Sequence, residues 1–265
     1  MIKNTEYTKL AKKEEQRIRR LKSTHGRKKE GAFLVEGIKN VTELLISKMD
    51  IDLIYLSDSL SDNQQVYFQK LCFEKNIQLC SLRDQDYNKI STMKNPEGIL
   101  AVCRYPEQND LSALRLPALF LSEVNDPGNL GTIFRTAAWY GIKSIILSEN
   151  SVDAYNPKVL RGSMGSFMHL TILQQISYKS FINFTGVRKI SVFAADLKGE
   201  NPAQLKPQND NYILAFGSES HGVPEEIKDN CKSLLSIPKF GKGESLNLAV
   251  SVGIILNSII NRGNK

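Results

Sequence analysis

Three short stretches combine glycine with acidic or uncharged polar side chains at points where an apolar run gives way to a helical pattern. The first is Asn125-Asp126-Pro127-Gly128-Asn129-Leu130-Gly131-Thr132-Ile133-Phe134-Arg135. Asp-Pro-Gly makes a tight turn, and Asn129 suits a helix N-cap. Arg135 falls within two turns of the helix start, where free N–H groups favour anions. The second, Phe216–Val223, sets Glu219 and His221 between Gly217 and Gly222. The third, Ile237 to Gly253, joins a strand to a helix rich in small residues that Ser245 or Asn247 can cap. Each stretch alone is compatible with an ordinary turn. Three strand ends of this make-up suit a ligand held mainly by backbone. There is no Gly-x-Gly-x-x-Gly or Walker loop, which argues against ordinary dinucleotide and nucleoside-triphosphate folds. Histidine is a common general base, but the place of His221 before a turn glycine favours a surface histidine over that role. His25 and His169 have weaker claims.

The elements that must position these stretches alternate along the chain. Apolar runs at Phe33–Val35, Leu53–Leu56, Ile77–Leu82 and Ile99–Cys103 predict strands, with helical patterns at 38–45 and 66–72. The polar run Pro106-Glu107-Gln108-Asn109-Asp110 then interrupts the pattern. Longer apolar runs follow at Ala118–Leu121, Ser144–Leu147, Ile190–Ala195, Tyr212–Phe216 and Leu234–Ile237, as in strands buried on both faces of a parallel sheet. Helices are predicted at 130–140, 178–186, 224–231 and 248–260. The expected organisation is α/β: a basic arm or helix over 1–30, an α/β sandwich over 31–105, a linker over 106–116 and a parallel-sheet domain over 117–265. In such sheets ligands bind beyond the carboxyl ends of the strands, where the polar clusters fall.

The net charge of +7 lies entirely in residues 1–30, which hold 11 basic and 4 acidic side chains. A helix over Thr5–Lys22, ended by a turn at Ser23-Thr24-His25-Gly26, would present Arg19, Arg20, Arg27 and Lys28 to the phosphates of a polyanion. A merely solubilising tail is the alternative. On the phosphate-contact reading, deleting 1–30 weakens polyanion binding and flattens its salt slope; on the tail reading the slope is unchanged. With 41% hydrophobic and 24% charged residues, the composition excludes a disordered or collagen-like chain. No apolar stretch suits a membrane helix, and no apolar segment follows the first lysines as in a secretory signal. Cys72, Cys80, Cys103 and Cys231 lack zinc-site spacing and read as reduced thiols of a cytoplasmic protein; no metal is expected.

The three clusters, in this order and spacing, closely resemble the motifs of the SpoU (TrmH-like) RNA ribose 2′-O-methyltransferases of the SPOUT superfamily. Val159-Leu160-Arg161-Gly162-Ser163-Met164-Gly165-Ser166-Phe167 is similar to the family's middle Arg-x-Ser-x-Gly motif. Phe33-Leu34-Val35-Glu36-Gly37 and Asn95-Pro96-Glu97-Gly98-Ile99 resemble the N-terminal substrate-binding domain of ribosomal-RNA members. The resemblance implies a C-terminal trefoil knot, S-adenosylmethionine as cofactor near Ala195, Gly217, Ile237 and Leu246, and a homodimer. It also implies an RNA partner, most often ribosomal RNA, with Arg135 as the essential residue and Asn129, Glu219, Ser245 and Asn247 ordering the site. Transfer RNA methylation and a non-catalytic RNA-binding or ribosome-assembly role are the alternatives.

Overall fold

The computed structural model describes residues 7–107, 110–205 and 210–260. In chain order the first part holds α1 (Lys12–Leu21), α2 (Thr24–Glu30), β1 (Ala32–Glu36), α3 (Ile38–Ile46), β2 (Ile51–Ser57), α4 (Asp62–Glu74), β3 (Leu79–Leu82), α5 (Asp84–Ile90) and β4 (Ile99–Arg104). Then come β5 (Ala118–Leu121), α6 (Pro127–Trp139), β6 (Ser144–Ser148), α7 (Pro157–Ser163), β7 (Thr171–Ile176) and α8 (Tyr178–Arg188). The last elements are β8 (Ser191–Glu200), β9 (Tyr212–Phe216), α9 (Glu225–Lys228), β10 (Ser233–Leu235) and α10 (Leu248–Ile260).

The chain packs as two units, one of Met1–Glu107 with Tyr155–Met168 and one of Gln108–Ala154 with His169–Lys265. The first unit has a four-stranded sheet of order β1-β4-β2-β3, in which only the β2–β3 pair is parallel. The basic N-terminal segment is part of this unit's core. Leu10, Ile18 and Leu21 are buried beside Leu34, Tyr55, Tyr87 and Val102. The expected helix over Thr5–Lys22 starts only at Lys12; Thr5 lies outside the described residues, and the Thr8 N–H donates to the Ser81 carbonyl at 2.8 Å along β3. The expected turn at 23–26 is instead the start of α2, because the Ser23 hydroxyl accepts from the Gly26 N–H and caps a second helix.

Tyr155–Met168 lies within the 117–265 segment but packs with the first unit. Tyr155 and Phe167 flank the Phe33 ring at centroid distances of 4.5 and 6.3 Å. Arg161 donates to the Thr92 hydroxyl at 2.9 Å. The middle motif is thus a strut of the first unit. Part of the polar run, Gln108 and Asn109, lies outside the described residues.

The second unit has a six-stranded sheet of order β10-β8-β9-β5-β6-β7, parallel throughout. Its inner strands β5 and β9 are buried at every residue, which is why they read as unbroken apolar runs. The edge strand β7 was not expected: Thr171-Ile172-Leu173-Gln174-Gln175-Ile176 mixes polar and apolar residues, as an edge permits. Strand β8 is longer than predicted. Its register on β10 jumps from Ala194↔Leu234 to Glu200↔Leu235, so residues 195–199 bulge out between two paired points. Gly199 closes that excursion; a Cβ there would sit 2.6 Å from the Leu234 carbonyl carbon. Although β10 lies at the sheet edge, α10 packs on α6, so residues 236–247 cross the carboxyl ends of β8 and β9 to reach it.

Candidate active site at the carboxyl ends of the parallel strands

The second polar cluster is shaped by a glycine. After β9 the chain doubles back, with Ser218 and Gly222 forming an antiparallel bridge and the Gly222 N–H donating to the Ser218 carbonyl at 2.9 Å. A Cβ on Gly217 would lie 1.8 Å from the Gly222 carbonyl carbon, a separation that only glycine avoids. This fold-back holds Glu219 out at the start of α10.

Glu219 is the hub of the site. Its Oε1 accepts from the Asn129 amide at 2.9 Å, the Asn247 amide at 3.1 Å and the Leu248 backbone N–H at 3.3 Å. Asn247 also donates to the Asn129 side-chain carbonyl at 2.9 Å, closing a three-membered network. The Asn247 side-chain Oδ1 in turn accepts from the Ala249 and Val250 N–H groups, so this residue caps α10. A carboxylate against free N–H groups at a helix N-terminus is electrostatically favoured. Asn129 is available for this network because it is not the cap of α6. Asp126 fills that position, accepting from the Asn129 N–H at 2.7 Å, with Pro127 as the first helical residue. The Asp126-Pro127 pair is the sequence signal that corrects the expected Asn129 cap.

The structure therefore joins Asn129, Glu219 and Asn247 from three separate segments. Arg135 stands exposed on α6 and forms no hydrogen bond or ion pair among the described residues. Ser245 is also exposed and does not cap α10. Of the residues expected to hold the cofactor, Ala195 opens the β8 excursion, Gly217 opens the fold-back, and Ile237 and Leu246 bracket the crossing segment. The crossing is tied to the excursion where the Ser236 hydroxyl donates to the Leu197 carbonyl at 3.0 Å and the Ser236 N–H to the Glu200 carbonyl at 2.8 Å. From Ile237 through Leu246, no backbone N–H or C=O bonds to another described residue. Phe240 in this stretch is 98% exposed. Open backbone donors and acceptors suit a ligand held mainly by main-chain groups. His221 is exposed, and only its backbone N–H is engaged, donating to Ser218 Oγ at 3.3 Å.

Among the cations expected to meet a polyanion, Arg27 requires correction. It is 0% exposed, and its guanidinium donates to the Leu21 and Lys22 carbonyls at 3.0 and 3.1 Å and to the Thr24 hydroxyl at 3.0 Å. It satisfies the carboxyl end of α1 and is not available to a phosphate. Arg19 and Arg20 are exposed but paired with Glu15 and Glu30. Lys28 is exposed. Among the described residues no group of three or more His, Cys, Asp or Glu side chains could hold a metal ion, and no helix is long and apolar enough to cross a membrane.

Comparison with known proteins identifies the family of the chain. Residues 117–257 match the SpoU rRNA methylase family and residues 13–101 match an MRM3-like substrate-binding domain. A Bacillus subtilis protein named 23S rRNA (guanosine(2553)-2′-O)-methyltransferase is 30% identical over 91% of this chain and 94% of its own length. Among solved structures, a TrmH-family protein from Porphyromonas gingivalis superposes with a TM-score of 0.86 at 27% identity, covering 96% of this chain and all of that one. An AdoMet-bound rRNA methyltransferase from Sinorhizobium meliloti superposes with a TM-score of 0.85 at 25% identity, covering 97% of each chain. With its parallel sheet and the Asn129–Glu219–Asn247 network at the strand ends, the chain belongs to the SpoU rRNA methylase family and is an S-adenosylmethionine-dependent RNA methyltransferase.

Proposed function

We propose that the protein methylates a ribose 2′-hydroxyl of 23S ribosomal RNA, the substrate for which its B. subtilis relative is named. The Asn129–Glu219–Asn247 network carries this reading. The MRM3-like match over 13–101 favours ribosomal over transfer RNA. The cofactor supplies an electrophilic methyl group on a sulfonium. The backbone of 237–246, with Ala195 and Gly217, would hold it. Attack by the neutral hydroxyl would break the methyl–sulfur bond, leave a neutral thioether and move the positive charge to the ribose oxygen, which then releases its proton to solvent, so the site has no oxyanion to stabilise. Alignment is its main task, and good alignment can lower a barrier by up to about 7–11 kcal/mol. Glu219 fixes Asn129, Asn247 and the start of α10 relative to one another, and Ser245 lies on the adjoining segment.

Arg135 takes the remaining role. A guanidinium keeps its proton, which makes it a poor base but a permanent phosphate ligand. It contacts the phosphate beside the target nucleotide and holds the 2′-hydroxyl in line, with the proton lost late in the transfer. Arg19, Arg20 and Lys28 act as outlying phosphate contacts. The crossing of residues 236–247 over the strand ends supports a trefoil knot, an exception to the usual unknotted connections. Trp139 on α6 is 85% exposed, and Val250 and Ile254 lie exposed one turn apart on α10. These side chains suit the interface of a homodimer. The protein acts in the cytoplasm, where its substrate is made.

The test is transfer of labelled methyl from S-adenosylmethionine to ribosomal and transfer RNA separately, followed by nuclease digestion and nucleoside analysis. Label in a 2′-O-methylated nucleoside from ribosomal RNA is expected. Label only in transfer RNA, in a base, or in neither RNA would overturn the reading. Arg135→Ala is expected to abolish transfer while calorimetry shows cofactor binding retained; near-normal turnover would remove Arg135 from its role.

A further inference from the structure

The arginines of α1 are engaged with carboxylates. Arg17 meets Asp52 at 2.7 Å, Arg19 meets Glu15 at 2.7 Å and Arg20 meets Glu30 at 2.8 Å. A second basic group in the same unit is arranged differently. Lys22, Lys94, Lys158 and Arg161 line one open cavity of about 420 Å³, and none of the four forms an ion pair among the described residues.

Two of these cations are held in place by uncharged acceptors. Arg161 Nη1 donates to Thr92 Oγ1 at 2.9 Å, and Lys22 Nζ donates to the Ser91 carbonyl at 2.6 Å. Behind them lies Glu36, 4% exposed. Its Oε2 accepts from the Thr92 N–H and hydroxyl at 2.7 and 2.6 Å, and its Oε1 accepts from the Tyr87 and Ser91 hydroxyls. The carboxylate thus fixes the Ser91-Thr92 loop through neutral donors and forms no ion pair with either cation. Partial burial lowers the pKa of the Lys22 ammonium, an effect that the nearby Glu36 carboxylate opposes and the Arg19 charge reinforces, although Lys22 as a whole is exposed. Lys94 and Lys158 are exposed and free to adapt. No aromatic ring lines the cavity, so nothing there would stack on a base.

Two anchored and two adaptable cations, with no device for reading a base, match successive phosphodiesters of a nucleic-acid strand. Such contacts position the strand and carry no sequence information. We infer that the Lys22–Lys94–Lys158–Arg161 cavity is the site at which the first unit grips the ribose-phosphate backbone of the RNA substrate. The inference rests on the proposed function for the identity of the polyanion.

The test uses the full chain and in-vitro-transcribed 23S ribosomal RNA, with binding measured across a potassium chloride series. The variants are Lys94→Gln/Lys158→Gln and, separately, Arg161→Gln. Loss of two phosphate contacts should weaken binding at least about tenfold and make the slope of log K against log salt shallower by roughly 1.4–1.8. Cofactor affinity should stay at the wild-type value in both variants, and the melting temperature in the lysine pair, whose side chains are exposed. The paired arginines serve as the control: Arg19→Gln/Arg20→Gln should shift the slope less than the lysine pair. An unchanged slope in both cavity variants overturns the assignment, and so does a larger shift in the arginine control. Methyl transfer by the wild-type protein is scored separately. If it methylates no RNA but the cavity variants alter the slope, the proposed function fails and the cavity assignment stands.

Discussion

At the residue scale, one carboxylate oxygen gathers three donors from distant parts of the chain, so the site responds sharply to side-chain identity. Asn247 has two tasks, capping α10 and donating to Glu219 and Asn129. Asn247→Ala should cost about 0.5–2 kcal/mol of stability through the lost cap, measurable by urea unfolding. Asn247→Asp keeps a capping oxygen but sets a second carboxylate against Glu219. It should recover much of the stability while methyl transfer stays low. Equal recovery of both properties would show that Asn247 only caps the helix. Asn129, Glu219 and Asn247 were all legible as polar residues at strand ends. Their mutual hydrogen bonds were not, because no local pattern says which oxygen of one loop meets which amide of another.

At the element scale, the site depends on loops that leave the chain little freedom. The Gly217 fold-back places Glu219, and the β8 excursion with Gly199 supports the crossing segment. Gly217→Ala forces a Cβ into the backbone of Gly222, so the loop must open and Glu219 must leave the α10 N-terminus. The expected result is loss of methyl transfer with the circular-dichroism spectrum of the sheet retained. A fully active Gly217→Ala protein would show that this loop geometry is not required. Most elements were readable from periodicity: β5 and β9 occupy the residues anticipated, since strands buried on both faces leave continuous apolar runs. The failures have different causes: β7 at an edge mixes polar and apolar residues, whereas α2 and α7, seven residues each, are too short to show an apolar period even though Ser23 caps one and Asn156 with Pro157 starts the other.

At the scale of the whole molecule, the proposed homodimer would cover the exposed apolar side chains Trp139, Val250 and Ile254 of α6 and α10. Ile254→Glu, which places a charge in that face, should convert a dimer to a monomer by multi-angle light scattering. A wild-type monomer at micromolar concentration would remove the dimer from the proposal. Charge behaves less simply than its sum suggests. The excess of +7 resides in residues 1–30. Yet Ile18 and Leu21 of that segment are core residues, and Arg27 is consumed by the end of α1. Deleting the segment would therefore disrupt the first unit, not merely remove a phosphate-binding arm.

The order and spacing of the three glycine-bearing clusters were enough to place this chain in its family, because the backbone geometry of each loop demands particular residues at particular positions. A parallel α/β sheet with a polar site at its strand ends followed from the same local constraints. Only the tertiary structure decided that Asp126 caps α6 and releases Asn129, that Arg27 is internal, and that Tyr155–Met168 packs with the first unit. It alone brought Lys22, Lys94, Lys158 and Arg161 to one cavity. Local sequence dictates what a segment can form; which side chains meet is set by how the segments fold on one another, and no spacing along the chain encodes that directly.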